Sequence, residues 1–340
     1  MKAAVLLSGG IDSTVAGLLL KEQGYDVVGL TMVNWDDSVG RKGADAARWL
    51  GIKHRIVDLR REFKERVIDY FCSAYEDGYT PNPCVECNRY IKFGALLDIA
   101  RQDGCDMVAT GHYAQVEFNQ VLNRYLLKKG LDSKKDQSYF LYRLTQDQLA
   151  HVIFPLGGFS KDEVKNIGRQ MKMEMAESKE SQEICFIPKD YREFLRGRIK
   201  CRSGEICDAE GRALGNHQGL AFYTIGQRKG LRISGGRPLY VVGLDTERNV
   251  LQVGEDKDLY SHSLLAAADN FIYYDKIDSS LQVKAKIRYA AQPADAAIKM
   301  ENDKVRVEFV EPQRAVTRGQ SVVYYLDDYV LGGGVIIKKL

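Results

Sequence analysis

The chain has 340 residues, of which 45% are hydrophobic and 28% charged, and its formal net charge is +3. This is the balance of an ordinary globular protein, and the length predicts two or three domains of roughly 100–200 residues each. No apolar run approaches the ~20 residues that cross a bilayer, so we expect no membrane contact. The apolar run at 3–7 leads directly into a glycine pair, so we interpret it as a buried strand and expect a cytoplasmic protein.

Residues 1–112 alternate short apolar segments with helical patterns. We predict strands at 2–7, 27–32, 54–57 and 107–110, and helices at 13–22, 44–50, 62–75 and 90–101. Near-continuous apolar strands that alternate with helices are typical of a parallel sheet covered on both faces. Gly24, Gly51 and Gly104 stand where helices should end.

The second half of the chain has a different pattern. A hairpin is predicted at 115–118 and 124–127, and Ser160 with Glu163 forms a capping-box pattern that opens a helix ending near 171. After about residue 200, short strands alternate with turn sequences. We predict strands at 281–288, 294–300, 304–310 and 321–326, which together are typical of a small β-barrel or sandwich.

The strongest chemical motif is Ser8-Gly9-Gly10-Ile11-Asp12-Ser13, between a predicted strand and a predicted helix. Glycine lets the backbone approach an anion closely, and a helix N-terminus offers free N–H groups and a positive dipole end. The motif matches neither the Walker A nor the GxGxxG pattern. It resembles the PP-loop of N-type ATP pyrophosphatases, which hold the β,γ-pyrophosphate of ATP; an ordinary strand–helix turn is the alternative.

A second motif is a polar, proline-bound loop that leads into Cys84 and Cys87 (sequence TPNPCVECNR). Cysteines near a helix start can have lowered pKa values. The C-x-x-C spacing alone is compatible with a redox pair, a zinc half-site or an iron–sulfur half-site. A third candidate is Cys185, which on its own would more often be a core cysteine. The cysteine count of seven is odd, which argues against a framework of structural disulfides.

Taken together, these motifs resemble the bacterial tRNA 2-thiouridylase family (MnmA). The resemblance is nearly end to end, and its segments are 8–13, 32–35, 80–93, 109–114, 130–141, 184–188 and 223–231. It implies an α/β domain with a doubly wound parallel sheet (PP-loop, adenine-nucleotide α-hydrolase-like) at 1–200. A small β-rich central domain would follow at 201–258, and a C-terminal β-barrel at 259–340.

The resemblance also implies a reaction, in which ATP with Mg²⁺ activates O2 of the wobble uridine (U34) and sulfur replaces that oxygen, with release of AMP and pyrophosphate. The residues implied to bind ATP are Leu6, Leu7, Ser8, Gly9, Gly10, Ile11, Asp12, Ser13, Met32 and Gly111. Those implied to contact tRNA are Asn82, Pro83 and Cys84 at the target base, with Lys135, Asp136, Gln137, Arg288 and Tyr289 elsewhere. The implied partners are tRNAs for Lys, Glu and Gln and a cysteine desulfurase or sulfur-relay protein.

One residue departs from the family pattern. Cys84 stands where the commoner sequence has an aspartate with an acid/base role, so two mechanisms remain open. In the first, Cys185 carries a persulfide and Cys87 is the cysteine nucleophile that closes a disulfide with it. In the second, Cys84, Cys87 and Cys185 hold a [4Fe–4S] cluster whose open iron delivers hydrosulfide. The additional cysteine favours the cluster.

Two other functions are also compatible with parts of the sequence. Another PP-loop ligase would adenylate a small metabolite, without needing the three cysteines or the C-terminal barrel. A non-catalytic tRNA- or metal-binding protein would not need the intact PP-loop. His112 resembles a strand-end residue beside ATP, and a structural histidine is an equal alternative.

Overall fold

The computed structural model describes residues 1–173, 184–187, 190–233 and 237–340. Its first seven strands are β1 (Lys2–Leu6), β2 (Asp26–Val33), β3 (Lys53–Asp58), β4 (Met107–Ala109), β5 (Ala114–Asn119), β6 (Arg124–Lys129) and β7 (Val152–Ile153). Five of them form a parallel sheet in the order β3-β2-β1-β4-β7. The strand order reverses at β1, as in a doubly wound sheet, and β5 and β6 form the predicted hairpin.

Helices connect these strands and cover the sheet. They are α1 (Ile11–Glu22), α2 (Ser38–Leu50), α3 (Arg60–Phe63), α4 (Asp69–Glu76), α5 (Pro83–Glu86), α6 (Leu96–Gln102), α7 (Gln146–Ala150), α8 (Lys161–Gln170) and α9 (Tyr191–Leu195). A π-helical segment, Lys64–Ile68, joins α3 to α4, and a second one, Cys87–Ala95, joins α5 to α6. Across the described ranges, none of the helices has the length and apolar character that would cross a membrane.

Local signals in the sequence explain most of these boundaries. Gly24, Gly51 and Gly104 all have positive φ values just after a helix, as predicted. The capping box of Ser160 and Glu163 is present at the start of α8. The helix predicted at 90–101 begins earlier, at Pro83, because proline is compatible with a first helical turn. Cys84 and Cys87 therefore lie within the helix rather than in an extended loop before it.

The central domain is a four-stranded sheet in the order β10-β11-β8-β9. Its strands are β8 (Gly204–Cys207), β9 (Ala213–His217), β10 (Tyr240–Asp245) and β11 (Val250–Gly254). Short 3₁₀ helices occur at Leu220–Phe222 and Asp256–Leu259 in this region and at Ser138–Phe140 earlier in the chain. Ile206 and Val241 of the central sheet belong to the same buried apolar cluster as Val57 and Phe63 of the first domain, so the two domains share one core.

The C-terminal domain is an antiparallel barrel, as predicted. Its strands are β12 (Tyr260–Ala267), β13 (Asn270–Phe271), β14 (Leu281–Lys286), β15 (Ala294–Glu301), β16 (Lys304–Arg314), β17 (Ser321–Leu326) and β18 (Tyr329–Lys339). Six of them pair in the order β12-β16-β15-β14-β17-β18, and β12 pairs with β18 to close the barrel. One edge extends through a β18–β6 pairing, so the hairpin of the first domain adds to the barrel sheet.

Candidate nucleotide and cysteine site

The loop between β1 and α1 has the geometry of an anion cradle. Gly9 has a φ of 77°, in the left-handed region that glycine adopts at little cost. A Cβ atom at Gly9 would lie 2.3 Å from Lys42 Cβ and 2.7 Å from the Lys42 carbonyl carbon, so α2 leaves no room for a side chain. Gly10 then precedes Ile11, the first residue of α1, whose free N–H groups and positive dipole end are presented to the loop.

Side-chain contacts fix the shape of this loop. Ser13 Oγ donates a hydrogen bond to Gly10 O at 3.0 Å, and Ser8 N donates to Ser13 Oγ at 3.2 Å. The Asp12 carboxylate accepts hydrogen bonds from the buried Lys161 Nζ at 2.6 and 2.8 Å. Asp12 therefore ties the start of α1 to the start of α8.

The other residues predicted to bind ATP border the same loop. Leu6 ends β1 and Leu7 follows it, while Met32 is half-buried near the end of β2. A Cβ atom at Gly111 would lie 2.7 Å from the Asp12 carbonyl carbon, so the segment after β4 packs directly on α1. These positions meet at the carboxyl ends of neighbouring parallel strands, where open α/β sheets bind ligands.

The three candidate cysteines are brought together beside this cradle. Burial raises the pKa of the Cys84 thiol to about 11 and that of the Cys87 thiol to about 12, and the Cys185 sulfur influences both. Cys185 is exposed as a residue, although neighbouring atoms crowd its sulfur enough to raise its pKa as well. Asn34 Nδ2 donates a hydrogen bond to Cys185 Sγ at 3.8 Å. The three thiols therefore lie close enough to influence one another's pKa values.

Lys92 is a functional candidate that the sequence analysis did not select. Its positive charge opposes the effect of burial and lowers the pKa of all three thiols. It lies five residues after Cys87, and i→i+5 hydrogen bonding in the π-helical segment places those two residues one turn apart. Lys92 Nζ is 3.5 Å from His112 Nε2. This spacing from the second cysteine was the only signal in the sequence.

His112 is a buried, neutral partner of that lysine. Burial, with a further effect from Lys92, lowers the pKa of His112 well below its usual range. Thr110 Oγ1 lies 2.7 Å from His112 Nδ1 and fixes the ring. With Nδ1–H directed to Thr110, Nε2 is free to accept a hydrogen bond from Lys92. His112 therefore orients Lys92 at the cysteine site.

The cysteine arrangement was tested for the [4Fe–4S] cluster. Three thiolates are chemically suitable ligands for iron. Among the residues that the structure describes, which include all three cysteines, no group of three His, Cys, Asp or Glu side chains is arranged to hold a metal ion. The arrangement does not fit the cluster.

Residues 79–84 include the positions predicted to contact the target base, and we refer to them as the target-base loop. The loop leads into α5 and the two neighbouring cysteines. Pro83 begins α5, and Asn82 precedes it. The Asn82 side chain lies within hydrogen-bonding reach of the Tyr139 phenol, whose hydroxyl donates to Ser321 O at 2.8 Å. Tyr139 is fully buried. Asn82 is therefore held by Tyr139, which is itself hydrogen-bonded to β17 of the barrel.

The segment Lys135, Asp136 and Gln137 has a largely structural geometry. Asp136 is buried, and its carboxylate accepts hydrogen bonds from Gly130 N at 3.0 Å and from Ser138 Oγ at 2.9 Å. Gln137 Oε1 accepts from the main-chain N–H of Tyr113 at 3.0 Å. Lys135 is half-buried. The aspartate and glutamine shape this segment, which leaves Lys135 as its cationic side chain.

Arg288 and Tyr289 follow β14 and lie near the same tyrosine. The Tyr289 ring centroid is 4.5 Å from that of Phe140 and 6.1 Å from that of Tyr139. Lys286 Nζ is 5.2 Å from the Tyr289 ring centroid. Arg288 donates to Arg314 O at 3.3 Å. Tyr289 is 37% exposed, so this cationic aromatic surface has an open side.

Family models match three consecutive parts of the chain: the tRNA methyl transferase HUP domain at residues 1–189, the tRNA methyl transferase PRC-barrel domain at 192–255, and the aminomethyltransferase beta-barrel domain at 261–336. The tRNA-specific 2-thiouridylase MnmA of Syntrophomonas wolfei is 53% identical over 337 residues, which cover 99% of this chain and 100% of the relative. The MnmA of Clostridioides difficile is 46% identical over 356 residues, covering 100% of this chain and 99% of the relative. The chain belongs to the tRNA-specific 2-thiouridylase family.

Membership of the 2-thiouridylase family confirms the resemblance inferred from the motifs. The match extends through the central and barrel domains and does not stop at the PP-loop domain. A ligase for small metabolites that shared only the PP-loop domain would not account for it. The 2-thiouridylase family therefore explains the whole chain.

Proposed function

We propose that this chain is a tRNA 2-thiouridylase that replaces O2 of the wobble uridine by sulfur, with ATP, carried as its Mg²⁺ complex, as the activating substrate. The observation that supports the proposal is the shared interaction of Cys84, Cys87 and Cys185 with Lys92. Lys92 Nζ lies 3.5 Å from His112 Nε2, and the neighbouring Gly111 packs on Asp12 of the anion cradle. By family resemblance, the substrates are tRNAs for Lys, Glu and Gln. A cytoplasmic location follows from where these tRNAs and ATP are available.

The first step is adenylation. The uridine O2 attacks the α-phosphorus of ATP, the bond to the β,γ-pyrophosphate breaks, and pyrophosphate leaves. Gly9, Gly10 and the start of α1 supply N–H groups and a positive dipole end for those phosphates. An unstacked anticodon-loop base can enter the pocket at low cost. Asn82, which is held by Tyr139, is the residue that we propose contacts this base.

Sulfur transfer uses two cysteines. A desulfurase or relay protein loads Cys185 as a persulfide, which its exposure permits. The terminal sulfur attacks C2 of the adenylated base and AMP leaves with the oxygen. Cys87 loses its proton beside Lys92, whose charge lowers the pKa of this thiol against the effect of burial. The resulting thiolate attacks Cys185 Sγ, so that a Cys87–Cys185 disulfide forms and the sulfur stays on C2. Two electrons from a cellular thiol reduce the disulfide before the next cycle.

Cys84 is proposed as a third thiol of this site rather than as a cluster ligand. Its sulfur is shielded and lies near Cys185. A thiol with a raised pKa is protonated at neutral pH and can donate a hydrogen bond, whereas the aspartate of the commoner pattern is ionised. Cys84 can therefore give its proton to the base as the thiocarbonyl forms.

The decisive experiment is anaerobic purification of the parent and Cys84→Ala, followed by iron and sulfide analysis and a thiolation assay with a persulfide donor. An iron-free parent that forms 2-thiouridine supports the proposal. Iron and sulfide that disappear in Cys84→Ala would instead support the three-cysteine cluster. Pyrophosphate release is measured in parallel: stimulation by tRNA is expected, and stimulation by a small carboxylate alone would indicate a metabolite ligase.

A further inference from the structure

The target-base loop is held from outside its own domain by one turn of the barrel, residues 317–320. Thr80 N donates a hydrogen bond to Arg318 O at 2.8 Å. Gln320 Nε2 donates to Thr80 O at 3.0 Å. Both main-chain groups of Thr80 are thus paired with the barrel, two residues before Asn82. No rotation of this peptide segment is possible without breaking one of these bonds.

Arg318 also contacts Tyr79, the residue before Thr80. Its guanidinium carbon lies 4.5 Å from the Tyr79 ring centroid, and Arg318 Nη2 donates to Tyr79 Oη at 2.9 Å. A guanidinium over an aromatic face is attracted by the negative face of the ring. Within the described chain, no carboxylate is paired with Arg318. This arginine is therefore committed to Tyr79 and not to an ion pair.

The contact is too close for a larger residue at Gly319. A Cβ atom there would lie 2.7 Å from Tyr79 Cβ and 2.8 Å from Thr80 N. Gly319 also has a φ of 88°, which favours glycine. Its own N–H donates to Ile336 O at 2.9 Å, so the turn is anchored in β18. The backbone of the barrel turn at Gly319 therefore packs directly on the backbone of Thr80.

The central domain contacts the same segment one residue earlier. Gly78 has a φ of 73°, and a Cβ atom there would lie 2.7 Å from Thr246 Cγ2 in the β10–β11 hairpin. All three domains therefore meet at residues 78–80. Cys84 and Cys87 lie in the helical segments that follow, so a displacement of residues 78–80 would also displace these cysteines.

We propose that the barrel turn 317–320, through Arg318 and Gly319, is a positioning element that sets the target-base loop and thereby the placement of Asn82 and Cys84. We call the contacts of Arg318 and Gln320 with Tyr79 and Thr80 the clamp. The effect of the clamp on catalysis rests on the proposed function, whereas the contacts themselves do not. Arg318 and Gly319 act through Tyr79 and Thr80 and are positioning residues. The barrel thus contributes to the chemical step as well as to RNA binding.

The test compares Arg318→Ala, Arg318→Lys and Gly319→Ala with matched controls. Arg306→Ala removes a barrel arginine that pairs with Glu301 on the surface, and Gly158→Ala adds a Cβ where no atom lies within 4 Å. Thermal midpoints establish that each variant is folded. Hydrogen exchange of residues 79–84 is measured without substrate, and kcat and KM for tRNA are measured with a persulfide donor.

We expect faster exchange at 79–84 in Arg318→Ala and Gly319→Ala, with partial recovery in Arg318→Lys. We expect kcat to fall by about tenfold or more, because a ~1 Å misplacement can cost on the order of 100-fold. KM for tRNA should change by less than about twofold, since the clamp acts in the protein. Both controls should match the parent.

Unchanged exchange at 79–84 in folded variants would overturn the clamp. Faster exchange with unchanged kcat would overturn its role in positioning, and a loss confined to KM would assign Arg318 to RNA binding instead. If the parent itself does not thiolate tRNA, the proposed function fails. The exchange measurement still decides whether the clamp holds the loop, so the two failures are distinguishable.

Discussion

Lys92 Nζ lies 3.5 Å from His112 Nε2, and the same ammonium group is the cation that acts on Cys84, Cys87 and Cys185. Among the described residues, no carboxylate forms an ion pair with Lys92. Its charge is therefore available to the sulfur atoms. A fixed cation stabilises the anionic forms of these thiols, which the proposed sulfur transfer would use as a persulfide and as an attacking thiolate.

Lys92→Met should slow alkylation of Cys185 at fixed pH. Lys92 lowers the thiol pKa, so its loss raises that pKa and reduces the thiolate fraction at neutral pH. We expect the pH profile of alkylation, followed by mass spectrometry, to shift to higher pH. Lys92→Arg keeps the charge and should shift less. A profile that moves downward in Lys92→Met would contradict this role.

Gly9→Ala should weaken ATP binding while leaving the fold intact. The substitution introduces a Cβ atom 2.3 Å from Lys42 Cβ at a φ of 77°. The loop must then shift, and its N–H groups no longer converge on the phosphates. We expect ATP affinity by titration calorimetry to fall by about tenfold or more, as for loss of ~1.4 kcal/mol. Gly158→Ala is the control, and equal ATP affinity in Gly9→Ala would exclude this loop as the cradle.

Much of the first domain could be predicted because its signals are local. The parallel strands are short apolar runs, and Gly51 and the capping box of Ser160 mark helix ends within a few residues. The PP-loop needs only a strand, a glycine pair and a helix start. In these segments, local sequence and tertiary structure favour the same conformation.

The elements that were missed depend on distant contacts. β18 contains three consecutive glycines, which as a sequence indicate a turn. In the structure they permit close approach: a Cβ atom at Gly333 would lie 2.7 Å from the Tyr142 ring, and one at Gly334 would lie 1.7 Å from Ala267 O. The roles of Lys92 and Arg318 likewise depend on partners far along the chain. No periodicity could have revealed them.

Arg143→Met should destabilise the junction between the first domain and the barrel. The Arg143 side chain is 15% exposed and forms an ion pair with the buried Glu86. Arg143 Nε also lies 3.9 Å from Asp269 Oδ2, between β12 and β13 of the barrel. Its removal leaves Glu86 without its hydrogen-bonded cation, which we expect to cost about 3 kcal/mol. A lower thermal midpoint would show this. Arg48→Met, at an exposed pair with Asp45, should change stability by less than ~0.5 kcal/mol. Equal midpoints for the two variants would contradict the assignment.

Tyr289→Ala should weaken tRNA binding without slowing the chemical step at saturation. Tyr289 packs on Phe140, lies beside Lys286 and keeps an open side, which suits stacking by a base of the anticodon loop. Stacking contributes ~1–3 kcal/mol per base, so KM for tRNA should rise by about fivefold or more. Tyr289→Phe keeps the ring and should retain parent affinity. Tyr274→Ala removes another half-exposed barrel aromatic, which packs on Tyr273, and serves as the control. An equal rise in KM for Tyr274→Ala would mean that Tyr289 acts through barrel stability rather than through contact with RNA.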